Sequence, residues 1–317
     1  MERWRARKVV IIGAGAVGST FAYALAQSGV ADEIVLTDMD NNLVQGQVMD
    51  LAHGLPFYPN VQINAGSAED YGDAHVIVIT AGSKQRPGES RLDLLQRNAR
   101  IIESIMDEIQ AQGSQAVVLI VSNPVDVLTY VAQRRVNWPR GRVIGSGTVL
   151  DSARFRYLLG QHCGVSVHNV HAYVLGEHGD SEFAAWSISH VAGMRFDDYC
   201  QMCGDCRDWQ EERRQIEEAV RTSAYHIINY KGATYFAVGQ ALVRIISAIV
   251  RNEKSVLTVS TVLEGEYGLN NVCLGVPAMV GEAGVERVIE ADLPPEERIA
   301  LERSAGVIKE AIAQVTS

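Results

Sequence analysis

Between residues 8 and 146, short apolar runs alternate with longer amphipathic stretches. KVVII (8–12) is apolar throughout, as expected of a strand covered on both faces. IVLTD (34–38), VQINA (61–65), VIVIT (76–80), VVLIVS (117–122) and RVIGS (142–146) read as further strands, RVIGS being the last of the series. Helical patterns fill the intervals: Ala16 to Ser28, a stretch ending near His53, Leu92 to Gln112, and Val125 to Arg134. This alternation predicts a parallel sheet with helices on both faces. After about Ser146 the rhythm changes. A helix carries Asp151 to Leu159, two long helices meet near Lys231-Gly232, strand-like segments lie near 255–263 and 272–276, and a charged helix closes the chain from about Pro295. The pattern predicts two domains, residues 1–146 and a mixed α+β domain over 147–317. In the second, HAYVLGEHGD (171–180) reads as one strand running into a tight turn. Side chains alternate along a strand, so its two histidines, seven positions apart, should face opposite ways.

Composition narrows the function. The 317 residues suffice for two domains around a large core. Hydrophobic residues make up 47%, and no uninterrupted apolar run reaches membrane-spanning length, so a soluble globular protein is expected, with no membrane partner. A formal charge of −10 argues against a nucleic-acid surface. Arg3, Arg5, Arg7 and Lys8 before an apolar run, with Ala24-Leu25-Ala26 beyond it, imitate a secretory signal. Three glycines interrupt that run, however, and cleavage would destroy the best motif in the chain, so a cytoplasmic location is expected. Of five cysteines, three form Cys200-x-x-Cys203-x-x-Cys206. Zinc or an iron–sulfur cluster would need further ligands, for which Cys163, Cys273 or His190 are the candidates. The preferred reading is a surface turn with free thiols and no metal.

GAGAVG (13–18) fits G-x-G-x-x-G directly after a strand and directly before a helix. Gly13 permits the tight turn, Gly15 lets a pyrophosphate approach the backbone, and Gly18 lets helix and strand pack closely. The helix N-terminus offers free N–H groups and partial positive charge to phosphates. Asp38 ends the next strand twenty residues on, where a carboxylate accepts hydrogen bonds from ribose hydroxyls and repels a 2′-phosphate. The fold class is therefore α/β, a Rossmann-type doubly wound parallel sheet, and the cofactor is NAD.

The chemistry centres on His178, in GEHGD. Asp151 and Arg154 lie three apart on one predicted helix and share a face that Arg156 leaves. A carboxylate beside an imidazole raises its pKa and fixes its tautomer. An arginine beside both offers two parallel donors to a substrate carboxylate. Such a set can hold a hydroxy acid and take the proton from its hydroxyl.

Taken together, GAGAVG with Asp38, AGSKQRPGESR, VSNPVD, GSGTVLDSARFR and GEHGDS resemble the bacterial-type L-lactate dehydrogenases of the lactate/malate dehydrogenase family, from about Lys8 to the C-terminal helix. The resemblance implies reversible NAD-dependent hydride transfer between L-lactate and pyruvate. It makes His178 the proton donor and acceptor, Asp151 the carboxylate that orients it, and Arg154 the anchor for the substrate carboxylate. Arg91, at the end of a loop that closes over substrate, would polarise the carbonyl. Asn123 would bond near the substrate oxygen, and Thr234 would sit against the methyl side. Val17, Gly82, Ser83 and Asn123 join Gly13, Gly15, Gly18 and Asp38 as cofactor contacts.

Malate dehydrogenase is the alternative. The resemblance places the discriminating position at Gln85, six before Arg91. A neutral glutamine suits a methyl group, whereas an arginine would pair with a second carboxylate. Lys84 and Arg86 flank it, so a shift of one register would reverse the reading. The resemblance also implies that Arg156 and His171 bind fructose 1,6-bisphosphate between subunits as an activator, and that the chain forms a homotetramer. Two rivals lie outside this class. One is an NAD-binding regulator without turnover, which would not need Asp151, Arg154 and His178 together. The other is a metal-dependent alcohol oxidoreductase built on the cysteines.

Overall fold

The computed structural model describes residues 6–83, 88, 90–203 and 208–316. Gln85, Cys206 and the side chain of Cys203 lie outside the described residues.

The first half alternates as its pattern predicts: β1 (Lys8–Ile12), α1 (Ala16–Ser28), β2 (Glu33–Thr37), α2 (Asn41–His53), β3 (Gln62–Ala65), β4 (Val76–Ile79), α3 (Arg91–Ala111), β5 (Val117–Ile120), α4 (Val125–Arg135) and β6 (Val143–Gly145). These strands pair in parallel in the order β6-β5-β4-β1-β2-β3, the doubly wound arrangement. β1, β4 and β5 are buried at every position, which accounts for their unbroken apolar sequence.

The second half contains α5 (Val149–Cys163), β7 (Val170–His171), β8 (Val174–Leu175), β9 (Phe183–Ala184), β10 (His190–Val191), β11 (Met194–Arg195), α6 (Phe196–Cys203), α7 (Trp209–Lys231), α8 (Phe236–Val250), β12 (Ser255–Glu264), β13 (Asn270–Gly281), β14 (Gly284–Val288) and α9 (Pro295–Thr316). Three expectations need correction. β6 does not end the sheet: β12 joins it antiparallel through Ser260 opposite Gly145, and β13 and β14 extend the sheet to nine strands. HAYVLGEHGD is not one strand. β7 pairs with β10, whereas β8 pairs with β9, and the chain changes partner between them. The residues around Cys200 form a helix, not a turn, and Cys200 is buried.

The apolar core follows the continuous sheet and not the chain order. Phe21 and Leu25 of α1 pack with Leu242, Ile245 and Ile246 of α8. On the other face Leu128 and Val131 of α4 share a cluster with Leu301, Ala305 and Ile308 of α9. A third cluster belongs to the second half alone, where Trp186 meets Phe155 edge-on at 4.8 Å and Trp209 at 5.3 Å. No helix among the described residues is long and apolar enough to cross a membrane.

Candidate active site

The glycine turn after β1 forms as its residue types require. Gly13 has φ +110°, a conformation L side chains rarely adopt, and a Cβ on Gly18 would lie 1.8 Å from the Gly13 carbonyl oxygen. Helix and strand can approach this closely only with glycine at both positions. A Cβ on Gly15 would meet nothing within 4 Å, so the space above it is open. No side chain caps the N-terminus of α1. Its free N–H groups thus face an open cradle suited to a pyrophosphate. Asp38 closes the cradle, accepting from the N–H of Ala14 at 2.8 Å and of Asp40 at 3.1 Å. Part of its capacity therefore holds the glycine turn itself. Val17 is half-buried against the core below the turn.

Further along the same edge, Asn98 of α3 is buried and ties two segments together. Its amide oxygen accepts from the N–H of Ser83 at 2.9 Å, and its amide nitrogen donates to the Asn123 carbonyl at 3.4 Å. Gly82 lies exposed beside Ser83. Asn98 is absent from the residues singled out by sequence. It sits in a regular helical pattern, and nothing local distinguishes it from a solvated polar position.

The residues expected to react are assembled by anchors from four elements. The Val174 N–H donates to Ser152 of α5 at 2.9 Å, and Thr148 Oγ1, just before α5, donates to the Val174 carbonyl at 2.5 Å. Gly176 exchanges backbone hydrogen bonds with Gly275 of β13. The Glu177 N–H donates to Ser304 of α9 at 2.6 Å, and the His178 N–H to Asp126 of α4 at 2.8 Å. The turn carrying His178 is thus gripped by both halves of the chain. Asp126 was legible as part of VSNPVD, but not as an anchor for the histidine.

Asp151, Arg154 and His178 meet. The Asp151 side chain is 2% exposed, Arg154 12% and His178 26%. His178 Nδ1 lies 2.6 Å from one Asp151 oxygen, and Arg154 Nη1 donates to the other at 2.6 Å. Burial opposes charge on the imidazole, but the charge and hydrogen bond of Asp151, with Glu182 and Asp126 farther off, outweigh it and push His178 up to about 9. Burial also opposes charge on Asp151, but His178 and Arg154 outweigh it and hold the carboxyl below its ordinary value. Burial pushes Asp126 up to about 6 despite hydrogen bonds from Ser260 and the His178 N–H. With Nδ1 held by Asp151, Nε2 is the ring nitrogen left for another partner.

Arg91 is the first residue of α3 and exposed; Thr234 is half-buried in the break between α7 and α8. Among the described residues, no hydrogen bond joins either to the trio. Arg156 leaves the trio's face. Its Nε donates to the Val170 carbonyl at 2.8 Å and its Nη2 to that of Val167 at 3.2 Å. With His171 it lines a separate cavity of about 500 Å³, to which α8 contributes Arg244. The two histidines therefore do face different places, but because the strand breaks between them and not through strand parity.

Away from the trio, Cys200 of the cysteine cluster packs in the third apolar cluster, its Sγ 3.9 Å from His162 Nε2.

A half-buried imidazole paired to a buried carboxylate, beside a doubly wound sheet that also carries a dinucleotide cradle, is the working core of NAD-dependent 2-hydroxy acid dehydrogenases. The chain belongs to the lactate/malate dehydrogenase family: residues 7–145 match the family's NAD binding domain and residues 148–317 its alpha/beta C-terminal domain. NAD is its cofactor. It is 60% identical over 310 residues to the L-lactate dehydrogenase of Treponema denticola, covering 98% of both chains. Among solved structures it is similar to a lactate dehydrogenase from a Medee basin deep-sea metagenome library, with a TM-score of 0.96 at 41% identity over 99% of this chain and 100% of that one. It is also similar to the minor L-lactate dehydrogenase of Enterococcus mundtii in its ligands-bound form, with a TM-score of 0.95 at 39% identity over 98% of each.

Proposed function

We propose that this enzyme interconverts L-lactate and pyruvate, with residues 1–146 binding NAD and residues 147–317 carrying most of the substrate site. The observation that carries this reading is the buried Asp151, bonded at once to the imidazole of His178 and the guanidinium of Arg154. Arg154 keeps donors for a substrate carboxylate, and His178 Nε2 serves the oxygen on the next carbon. When bound, reduced NAD would supply the hydride for that carbon. His178 gives its proton to the carbonyl oxygen during reduction and recovers it during oxidation. Arg91 stabilises the charge that develops on that oxygen. Asn123 bonds near the same oxygen, Thr234 faces the methyl side, and Gln85 is the position that distinguishes a methyl from a second carboxylate. Gly13, Gly15, Val17, Gly18, Asp38, Gly82, Ser83 and Asn123 make the cofactor contacts. The names of the relatives support lactate over malate.

The enzyme works in the cytoplasm, in glycolysis and fermentation, as a homotetramer. The cavity lined by Arg156 and His171 takes fructose 1,6-bisphosphate, which biases the assembly toward its active state. Two donors of Arg156 are already spent on backbone carbonyls, so the phosphate meets a cation fixed in place before binding.

One set of initial rates tests both parts: pyruvate against oxaloacetate, each with and without the sugar bisphosphate. Pyruvate should be favoured roughly a hundredfold, since oxaloacetate must bury a second carboxylate without a partner at a cost of about 3 kcal/mol. The activator should lower the half-saturating pyruvate concentration roughly five- to 150-fold, and Arg156→Ala should abolish that shift. A preference for oxaloacetate would make this a malate dehydrogenase. Coincident pyruvate curves would remove the regulation.

A further inference from the structure

Of the anchors that hold the His178 turn, all but one belong to the C-terminal half. Thr148, Ser152, Gly275 and Ser304 lie there with the histidine itself. Asp126, in the first turn of α4, comes from the half that matches the NAD binding domain, and it accepts the His178 N–H at 2.8 Å. Asp126 is 1% exposed, and its second oxygen accepts from the hydroxyl of Ser260 on β12. One buried carboxylate thus clamps the turn of the proton donor and the strand that joins the sheet at β6. The surroundings leave it no slack. A Cβ on Gly145 would lie 2.9 Å from Ser260 Cβ and 3.0 Å from Val125 Cγ2, so β6, α4 and β12 meet at closest approach beside Asp126. In the other direction Asp126 stands three residues after Asn123, whose carbonyl is held by Asn98, and Asn98 also holds the Ser83 N–H. A short hydrogen-bonded span therefore runs from the edge that carries the expected cofactor contacts to the backbone of His178.

Reduction of a carbonyl needs two donors to converge, a hydride on carbon and a proton on oxygen. The hydride donor is held by one half of the chain and the imidazole by the other. Their separation is set by whatever ties the halves together at this point, and a misplacement of about 1 Å costs about 10²-fold in rate. We propose that Asp126 is the positioning residue that keeps His178 in register with the hydride donor. It acts through the His178 backbone and touches no reacting atom: its partners are an N–H and a hydroxyl. The role needs an acceptor at that place and not a negative charge. The inference rests on the reading of His178 as proton donor.

The test is the rate of hydride transfer to pyruvate in a single turnover at neutral pH, in the parent, Asp126→Ala and Asp126→Asn. Alanine leaves the His178 N–H buried without an acceptor, so transfer should slow about 10- to 100-fold while NADH affinity stays within about twofold. Asparagine keeps an acceptor for that N–H and can donate to the Ser260 hydroxyl, so its rate should stay within about fivefold of the parent. The charge of Asp126 acts on the imidazole less than that of Asp151 or Glu182, so His178 stays protonated in both variants. A merely structural role would lower the melting temperature without dividing the two variants in rate. An Asp126→Ala rate within about threefold of the parent, or an Asp126→Asn rate as low as that of Asp126→Ala, overturns the proposal. Hydrogen exchange at the His178 amide is the second readout: it should be as slow in the parent as at the buried amides of α4, and at least about tenfold faster in Asp126→Ala. If Asp126→Ala fails to fold, the other two proteins decide: fast exchange of that amide in the parent, or a loss above about tenfold in Asp126→Asn, is contradictory. A His178→Asn variant that transferred hydride at the parent's rate would defeat the reading of His178 instead, a result separate from any seen at Asp126.

Discussion

Asp151→Asn should lower kcat/KM for pyruvate about 10³-fold while the protein stays folded. Asparagine keeps the shape and one acceptor oxygen but removes the charge. Among the described residues Asp151 is the sole carboxylate bonded to the His178 ring, and it also neutralises Arg154. Removing one partner of such a buried pair costs about 3–5 kcal/mol, and about 1.4 kcal/mol is tenfold in rate. The pH dependence follows from the direction of the His178 shift. Reduction needs the protonated imidazole, so the parent's rate should hold below about 9 and fall above it. In Asp151→Asn the largest opposition to burial is gone, so the imidazole loses its proton at lower pH and the falling limb moves to the acid side. Initial rates across pH, with a melting curve for each protein, measure both effects. A loss smaller than about tenfold would separate Asp151 from the chemistry.

Arg154→Lys should raise KM for pyruvate by about 10²- to 10³-fold, with a smaller change in kcat and none in NAD affinity. In the proposed reaction the guanidinium serves two anions: Nη1 is committed to Asp151, and the remaining donors would take the substrate carboxylate. A lysine is a point charge without the planar fork, so it cannot reach both. Truncating a buried, hydrogen-bonded charge pair costs about 2–5 kcal/mol, which sets the range. Steady-state kinetics with pyruvate, alongside calorimetric titration of NAD, separate the two affinities. An unchanged KM would mean that another cation holds the carboxylate.

The first half of the fold was legible because its physics is local. VIVI and VVLI are covered on both faces, and GAGAVG needs glycine for reasons visible in six residues. Gly29, in the left-handed conformation at φ 62°, ends α1 where the pattern places its end. The trio was legible because Asp151 and Arg154 share a helix face three residues apart. What escaped is non-local. β12 joins β6 through one residue pair 115 positions apart, Gly145 and Ser260, and no periodicity announces that edge. The 171–180 segment alternates well enough to pass for one strand, but its hydrogen-bond partners change after His171. Asp126 and Glu182 look like ordinary surface acids within VSNPVD and GEHGDSE. Only packing of the two halves reveals them as buried.

The central claim is that a buried aspartate keeps the proton on His178 so that the enzyme can deliver it. The most direct measurement is the titration of that imidazole by NMR, assigned through His178→Asn, in the parent and in Asp151→Asn. A midpoint near 9 is expected in the parent, and a clear fall to lower pH in the variant. A midpoint at the ordinary value in the parent, or one that does not move when the aspartate loses its charge, would contradict it.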